Sequence, residues 1–355
     1  MVKSVMRALF SGFFLFLTLV LTLIGRYAPA FVQHIYAPLS QGAMKFLAGV
    51  FSIFPVAVWE ILAVGLIFWF FISLVRDFSD LKFMQWLTGL LLAVSFGAFA
   101  FMALWGLNYY APSVQERLGM SHKEYNVQEL QKAAVYYRDM ANQTAGNVAR
   151  DSSGAMVPLS FNAQARDAAD GYRILEIRTE EFTGAKAAPK RLLSGSLFTA
   201  TGAQGIFVPF TGECCVSADT YCAVLPYAMC NQMGKRMGFA RQNEAEFTAF
   251  LACSAHESPE FVYSGYFVAF SYCYNALYAR EPQAAVEVWK GVSKELRADC
   301  LARIDFESGQ QNKAVADLRK DLGKHYQQLL QDKLGTETAD SVANLLTMWY
   351  YEGVL

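Results

Sequence analysis

The sequence has little charge, and the shortage is concentrated in its first third. Asp, Glu, Lys and Arg make up 17% of the 355 residues, against roughly 25% in ordinary soluble domains. Residues 111–355 contain 52 of the 61 charged residues. Residues 1–110 contain only nine: Lys3, Arg7, Arg26, Lys45, Glu60, Arg76, Asp77, Asp80 and Lys82. We therefore predict a membrane domain over 1–110 and a soluble domain over 111–355.

Other absences exclude further classes of protein. The net charge is -1 and no block of Lys or Arg occurs, so we expect no nucleic-acid partner. A chain of this length with 54% hydrophobic residues is neither intrinsically disordered nor a small disulfide scaffold. The seven cysteines show no Cys-x-x-Cys spacing. We expect them to be mainly reduced and buried, with a Cys214 or Cys215 bond to Cys222 as the alternative.

Long runs without charge indicate membrane-spanning helices. A helix needs about 20 mostly apolar residues to cross a bilayer. Residues 8–25, 55–75 and 86–109 meet this requirement, and none has the polar stripe of a helix buried in a soluble protein. Trp86, Trp105 and Tyr109 bracket the third run, as interfacial aromatic residues do. We predict three transmembrane helices and a lipid bilayer as partner.

The first run has an alternative interpretation, and the flanking charges predict an orientation. Lys3 and Arg7 precede it and Ala28-Pro29-Ala30 follows it, which also fits a cleaved signal peptide. In either case the Lys/Arg bias places the C-terminal domain outside the cytoplasm, with Lys3, Arg7, Arg76 and Lys82 inside against Arg26, Lys45 and Arg117 outside. The chain is thus predicted to be a multi-pass cell-membrane protein with a large extracytoplasmic domain.

The soluble two-thirds are predicted to be mainly α-helical. Apolar spacing near 3.6 residues predicts helices at about 125–141, 162–181, 226–237, 243–255, 260–280, 283–303, 311–334 and 337–351. Two short runs of β-type residues, 196–201 and 205–210, are joined through Gly202-Ala203-Gln204-Gly205. This pattern predicts one small β-hairpin. The fold class is therefore mainly α, with N-terminal transmembrane helices and an α-helical domain containing a hairpin.

Residues 205–255 contain the most informative motifs. In order they are Pro209-Phe210-Thr211-Gly212-Glu213, Pro226, Gly238-Phe239-Ala240-Arg241 and Glu244-Ala245-Glu246-Phe247. This set resembles the bacterial membrane family "domain of unknown function 3810". In that family a hairpin leads into Pro-Phe-Thr-Gly-Glu, and a proline precedes a helix with His-Glu-x-x-His. Gly-Phe-Ala-Arg and Glu-Ala-Asn-Phe follow. The resemblance implies a zinc-metallopeptidase-like domain.

The zinc-binding motif itself is degenerate in this sequence. In the intact motif, His residues at i and i+4 bind one Zn²⁺ from one helix face, and the Glu takes a proton from the metal-bound water. Aligned on Gly238, this sequence has Asn231 and Lys235 at the two His positions and Gln232 at the general-base position. A Lys ammonium has no lone pair and a Gln amide is no base. Glu244 remains at the third ligand position.

We therefore expect no catalytic residue, no metal site and no cofactor. Lys235 is predicted to neutralise Glu244, and with it Glu213, in a former metal pocket; the alternative is that Lys235 points into solvent. The candidate cleft residues are Glu213, Lys235, Glu244 and Tyr263. His256 and Glu257 look like half a zinc motif, but Pro259 breaks the helix, and we expect a loop there.

The predicted function is that of a membrane-anchored, catalytically inactive, metallopeptidase-like protein. Its cleft would bind a peptide or protein, with the edge strand at 196–201 accepting an extended segment. One alternative is an active zinc-dependent peptidase that uses Glu213, Glu244 and Cys230 as substitute ligands. Another is a purely structural membrane protein without a ligand.

Overall fold

Helices form most of the structure, as the sequence predicts. The computed structural model describes residues 2–79, 82–184, 186–310 and 339–353. The chain forms two units. The first is Met1–Pro112 together with Val208–Glu213, and the second is Ser113–Phe207 together with Cys214–Leu355. The mainly α fold with a small sheet is confirmed, while the predicted domain division at residue 110 stays a prediction.

The first unit is built around three long apolar helices. Its elements are α1 (Val2–Tyr27), α2 (Pro29–Phe31), a π-helical turn (Val32–Tyr36), α3 (Ala37–Phe51), α4 (Val58–Ser79), α5 (Phe83–Leu104) and a 3-10 turn (Gly106–Tyr110). Val2–Tyr27, Val58–Phe78 and Phe83–Leu104 are long and apolar enough to cross a membrane, with mean hydropathies of 2.3, 2.3 and 2.1. Most of their large side chains are exposed, which is stable in lipid but not in water. The chain is a membrane protein.

Helix α3 lies between the first two candidate spans, where the sequence analysis predicted no helix. Polar side chains hold this region to the end of α5. The Tyr36 hydroxyl donates to the Met102 carbonyl at 3.0 Å, and Ser40 Oγ donates to the Leu104 carbonyl at 2.8 Å. Asn108 Nδ2 donates to Ser40 Oγ at 3.0 Å. The bonds from Tyr36 and Ser40 end on carbonyls in the last turn of α5, where a helix lacks intrahelical donors.

The second unit is a helical domain. Its helices are α6 (Val114–Leu118), α7 (Val127–Ala145), α8 (Phe161–Asp167), α9 (Asp170–Arg178), a 3-10 turn (Glu180–Phe182), α10 (Gly195–Ala200), α11 (Leu225–Arg236), α12 (Gln242–Ser254), α13 (Pro259–Arg280), α14 (Pro282–Lys290), α15 (Lys294–Gln310) and α16 (Ala339–Glu352). Helix α13 is the buried centre, and Phe261, Phe267 and Phe270 on it are almost inaccessible.

Two predicted helices are each divided in two. The predicted helix 162–181 is α8 and α9, and the predicted helix 283–303 is α14 and α15, with a break at Gly291. Gly291 lies against the Arg138 guanidinium, where a Cβ would come within 2.3 Å of Nη1. The predicted helix 311–334 lies outside the described residues.

The sheet differs from the predicted hairpin. It contains β1 (Lys190–Arg191), β2 (Gly205–Val208) and β3 (Glu213–Val216) in the order β1-β3-β2. Strand β1 runs parallel to β3, with Lys190 opposite Cys215, and the four-residue link between β2 and β3 is too short for a parallel crossover. The hairpin is therefore β2–β3.

The predicted strand at 196–201 is wrong, because residues 196–200 lie in α10 and Thr201 is its C-cap residue. Thr199 Oγ1 donates to the Gly195 carbonyl one turn back at 2.9 Å and lies 3.0 Å from Ser217 Oγ. Local hydrogen bonding and packing thus override the β propensity of this run. The strand-accepting edge predicted at 196–201 is wrong for the same reason.

Candidate functional site

Helices α11 and α12 pack closely and bring the motif residues together. Pro226 lies in the first turn of α11, where a missing N–H is tolerated. Gly234 permits the close approach, since a Cβ there would lie 2.6 Å from Thr248 Oγ1 on α12. Asn231 and Gln232 on α11 are both buried, and Gln232 lies against β2, where a Cβ on Gly205 would come within 3.2 Å of its Cγ.

The carboxylate beside Asn231 and Lys235 is that of Glu246, which the sequence analysis did not single out. Glu246 Oε1 accepts a hydrogen bond from Gln242 Nε2 at 2.6 Å, and the Asn231 amide and the Tyr272 hydroxyl also donate to this carboxylate. Burial raises the pKa of Glu246, and the nearby charge of Lys235 opposes that rise. Lys235 therefore acts on Glu246, which is 9% exposed.

Glu244 has different partners. Its Oε1 accepts from Arg241 Nη1 at 2.7 Å and from the backbone N–H of Val114 at 3.0 Å. The Glu244 side chain is buried and that of Arg241 is nearly so. The neutralising charge predicted for Lys235 is thus supplied to Glu244 by Arg241, the N-cap residue immediately before α12.

Glu213 belongs to the first unit and closes a helix end there. Its Oε1 and Oε2 accept from the backbone N–H groups of Val58 and Trp59, both at 2.9 Å. These N–H groups open α4 and have no intrahelical acceptor, so a carboxylate at this place stabilises the helix. The preceding Gly212 has φ of 65°, and a Cβ on it would lie 2.7 Å from the Ala48 nitrogen.

Tyr263, the fourth candidate cleft residue, takes part in a buried ionic network. Its hydroxyl donates to Asp299 Oδ2, and Arg150 Nη1 donates to the same oxygen at 2.8 Å. Asp299 Oδ1 accepts from the Tyr221 hydroxyl at 2.8 Å and from the Met156 N–H at 2.7 Å. Burial, with the Asp299 charge, raises the pKa of both tyrosines. Asp299 thus accepts four hydrogen bonds inside the core, which is typical of a structural ion pair, while Arg150 Nη2 is buried with no hydrogen-bond partner among the described residues.

A cavity of about 490 Å³ in the second unit reaches Glu246. Helices α11 to α15 all contribute to its walls, and six of the sixteen lining residues are aromatic: Tyr227, Phe267, Phe270, Tyr272, Tyr274 and Trp289. Arg303 and Glu307 of α15 also line it and pair with each other at 2.8 Å. A concave, mostly apolar cavity with a few polar groups is the usual form of a small-ligand or side-chain site.

The family comparison covers nearly the whole chain. The family model described as "Protein of unknown function (DUF3810)" matches residues 9–347. The chain belongs to this family. No curated protein and no solved structure matches it. The match begins inside α1 and ends inside α16. It therefore contains the second and third candidate spans, most of the first span and all residues that line the cavity of this DUF3810 protein.

The residues at the motif positions do not fit a zinc ion. Asn231 offers an amide and Lys235 an ammonium, and the Glu244 carboxylate is already bound by Arg241. Asn231 Oδ1 and Gln232 Oε1 are buried with no hydrogen-bond partner among the described residues, although a buried acceptor without a donor is costly. Within the described ranges, no group of three His, Cys, Asp or Glu side chains could hold a metal ion.

The cysteines and the half-motif at His256 have packing roles. All seven cysteines are free thiols and six are buried; burial raises the pKa of Cys222 to about 11. Cys230 Sγ is 3.7 Å from Cys253 Sγ inside the core. His256 lies in a loop, as predicted, where its Nδ1 accepts from the Ser258 N–H at 2.8 Å and its ring stacks on Phe261.

Proposed function

We propose that this DUF3810 protein is a membrane-anchored, catalytically inactive relative of zinc metallopeptidases whose cavity binds a peptide or protein segment. The observation that carries the proposal is the environment of Glu246, whose buried carboxylate lies beside the buried Asn231 amide and feels the charge of the half-buried Lys235. The second unit would then be a binding domain held at a bilayer.

The pairing of Lys235 with Glu246 supports the loss of the metal. Lys235 stands where the family pattern has its second His, and Glu246 stands where that pattern has Asn. These two differences from the family pattern add one cation and one anion, and the positive charge of Lys235 opposes the rise in the pKa of Glu246. A buried carboxylate without a cation costs several kcal/mol, so the ammonium replaces a charge that a zinc ion would supply. Gln232 cannot serve as a general base.

The cavity walls favour a ligand that presents a large apolar side chain. Six aromatic residues line the cavity, and its polar groups include Glu246 with the Tyr272 hydroxyl and the Arg303–Glu307 ion pair. Apolar anchors that fill such cavities contribute most of the affinity in peptide recognition. The polar pair of Glu246 and Tyr272 then orients the ligand through one or two hydrogen bonds.

Zinc content tests the proposal that the metal has been lost. The full chain, expressed with added zinc and purified in detergent, should contain far less than one zinc per chain by elemental mass spectrometry. A variant carrying Asn231→His, Gln232→Glu, Lys235→His and Glu246→Asn should take up about one zinc. Adding Glu244→Ala to that variant should abolish uptake.

Two results would contradict the proposal. Near-stoichiometric zinc in the natural chain, lost on Glu244→Ala, would favour the alternative of an active metal-dependent peptidase with substitute ligands from Glu213, Glu244 and Cys230. A folded restored variant that takes up no zinc would mean that α11 and α12 never formed a zinc site.

Ligand binding is tested by photocrosslinking at the mouth of the cavity. Ile304 lines the cavity and is 61% exposed, whereas Leu301 on the same helix is 54% exposed and does not line it. A photoreactive benzoylphenylalanine at 304 should capture a peptide or protein in intact cells, and the same group at 301 should not. Equal capture at the two positions would favour the structural membrane protein without a ligand.

We further propose that the three candidate spans cross the bilayer and that the second unit is extracytoplasmic. The Lys/Arg bias at the ends of the spans supports this orientation. A C-terminal alkaline phosphatase fusion should be active and a C-terminal green fluorescent protein fusion dark. The reverse pattern would place the second unit in the cytoplasm.

A further inference from the structure

Helix α3 has one buried and one exposed face, and both are apolar. Ser40, Met44 and Ala48, spaced four apart, are buried in the first unit. Leu39 and Phe46 are 68% and 69% exposed, and Val50 on the same side is exposed as well. Residues seven and eleven apart share one side of an α-helix. The exposed side of α3 is therefore a stripe of large apolar side chains without a protein partner among the described residues.

Helix α3 is located at one end of the three candidate spans. Tyr36 and Ser40 are bonded to carbonyls in the last turn of α5. The loop that contains Gly212 approaches α3 at Ala48, and the next residue, Glu213, binds the first N–H groups of α4. The end of α1 lies at this end of the spans as well. A Cβ on Gly25 of α1 would come within 2.7 Å of the ring of Tyr110, which lies in the turn that follows α5.

The exposed stripe continues toward the lipid-facing surface of α4. Ile53, Phe54 and Val56 follow α3 and are exposed, and exposed apolar side chains resume at Ile61 and Leu62 in the second turn of α4. No carboxylate occurs between Arg26 and Trp59, while Lys45 is basic. Glu60 and Glu213, near the start of α4, are both buried, so the exposed surface of this segment carries apolar side chains and Lys45 without a carboxylate, which suits the interfacial layer of an anionic bilayer.

We propose that α3 is an interfacial helix that lies along the membrane surface. Leu39, Phe46 and Val50 point into the acyl chains and Lys45 reaches the headgroups. The partner of this surface is the lipid bilayer, and the helix adds a fourth membrane contact that does not span. This inference is independent of the function proposed for the cavity.

Photocrosslinking to lipid tests the inference on the full chain. Benzoylphenylalanine replaces one residue at a time in protein reconstituted into vesicles of phosphatidylcholine and phosphatidylglycerol with an alkyne-tagged lipid. Phe46 and Leu39 are the test positions. Phe68, exposed in the middle of α4, is the positive control, and Ile177, which is 86% exposed in the second unit, is the negative control. Because the side chains of Leu39 and Phe46 are both exposed, replacing them should leave the fold intact.

The expected result is lipid adduct at 46 and 39 in a yield close to that at 68 and several-fold above that at 177. Yields at 46 and 39 equal to that at 177, with 68 labelled normally, would overturn the inference. An adduct with a second copy of the chain or with another protein in place of lipid would overturn it too, because the stripe would then be a protein interface.

Discussion

Asp299→Ala should be among the most destabilising single substitutions in the second unit. Asp299 is 0% exposed and accepts from Arg150, Met156, Tyr221 and Tyr263. Its removal leaves the Arg150 guanidinium, which is largely buried, without its anion. Breaking a buried ion pair in this way costs about 3–5 kcal/mol. For a unit of this size that corresponds to a fall in melting temperature of roughly 6–20 °C.

The assay is thermal unfolding of the full chain in detergent, followed by tryptophan fluorescence. Asp305→Ala is the matched control, since Asp305 is an exposed carboxylate on the same helix α15 and surface changes cost within about 0.5 kcal/mol. Arg150→Met combined with Asp299→Ala should recover part of the loss, because the unpaired charge is gone. If Asp299→Ala and Asp305→Ala have the same melting temperature, the network does not stabilise the fold and the reasoning is refuted.

Three further outcomes are expected. Lys235→Met removes the cation beside Glu246 and should destabilise by about 1–2 kcal/mol, and Glu246→Gln in the same chain should restore the melting temperature; no restoration would mean that the two side chains are uncoupled. Burial raises the pKa of Glu246 above its ordinary value of 4.5. The contribution of its protonated side chain to stability is therefore full below pH 4.5 and is lost as the pH rises through the folded-state pKa. The melting temperature of Glu246→Gln should lack this fall with rising pH, and an identical fall in both proteins would contradict the assignment. Gly212→Ala should cost clearly more than Gly119→Ala, which also has positive φ but no neighbour within 4 Å and should cost about 1 kcal/mol; equal melting temperatures would contradict the close approach to Ala48.

Long periodic segments were predictable from the sequence, and short ones were not. The candidate spans and the helices α11, α12 and α13 are each built from one sustained apolar pattern. The bounds of α11, α12 and α13 agree with the predicted ones within one residue, and those of the spans within six. Helix α3 was missed because its apolar residues occur on both faces, since one face packs on protein and the other is exposed. The run 196–201 was misread because side-chain hydrogen bonds from Thr199 decide its conformation.

The candidate site was only partly predictable for a related reason. Asn231, Gln232 and Lys235 could be found by their spacing on one helix. Glu246 carried a signal that was not used: it departs from the Glu-Ala-Asn-Phe pattern, as Lys235 departs from its own. The network around Asp299 carried no local signal, because its side chains come from four separate segments of the chain that only the fold brings together.

The carboxylate that closes the start of α4 affects the order in which the first unit can be completed. Glu213 is 155 residues beyond Val58 in the chain, and the segment Val208–Glu213 is separated from the rest of its unit by residues 113–207. At about 5–20 residues per second, roughly 5–20 seconds of synthesis pass between Pro112 and Glu213. The apolar helices can enter the bilayer during that time, but the N–H groups at the start of α4 must wait for their acceptor. Maturation of the membrane unit is thereby tied to translation of the second unit, and a chain truncated before 208 would leave an inserted but unfinished first unit.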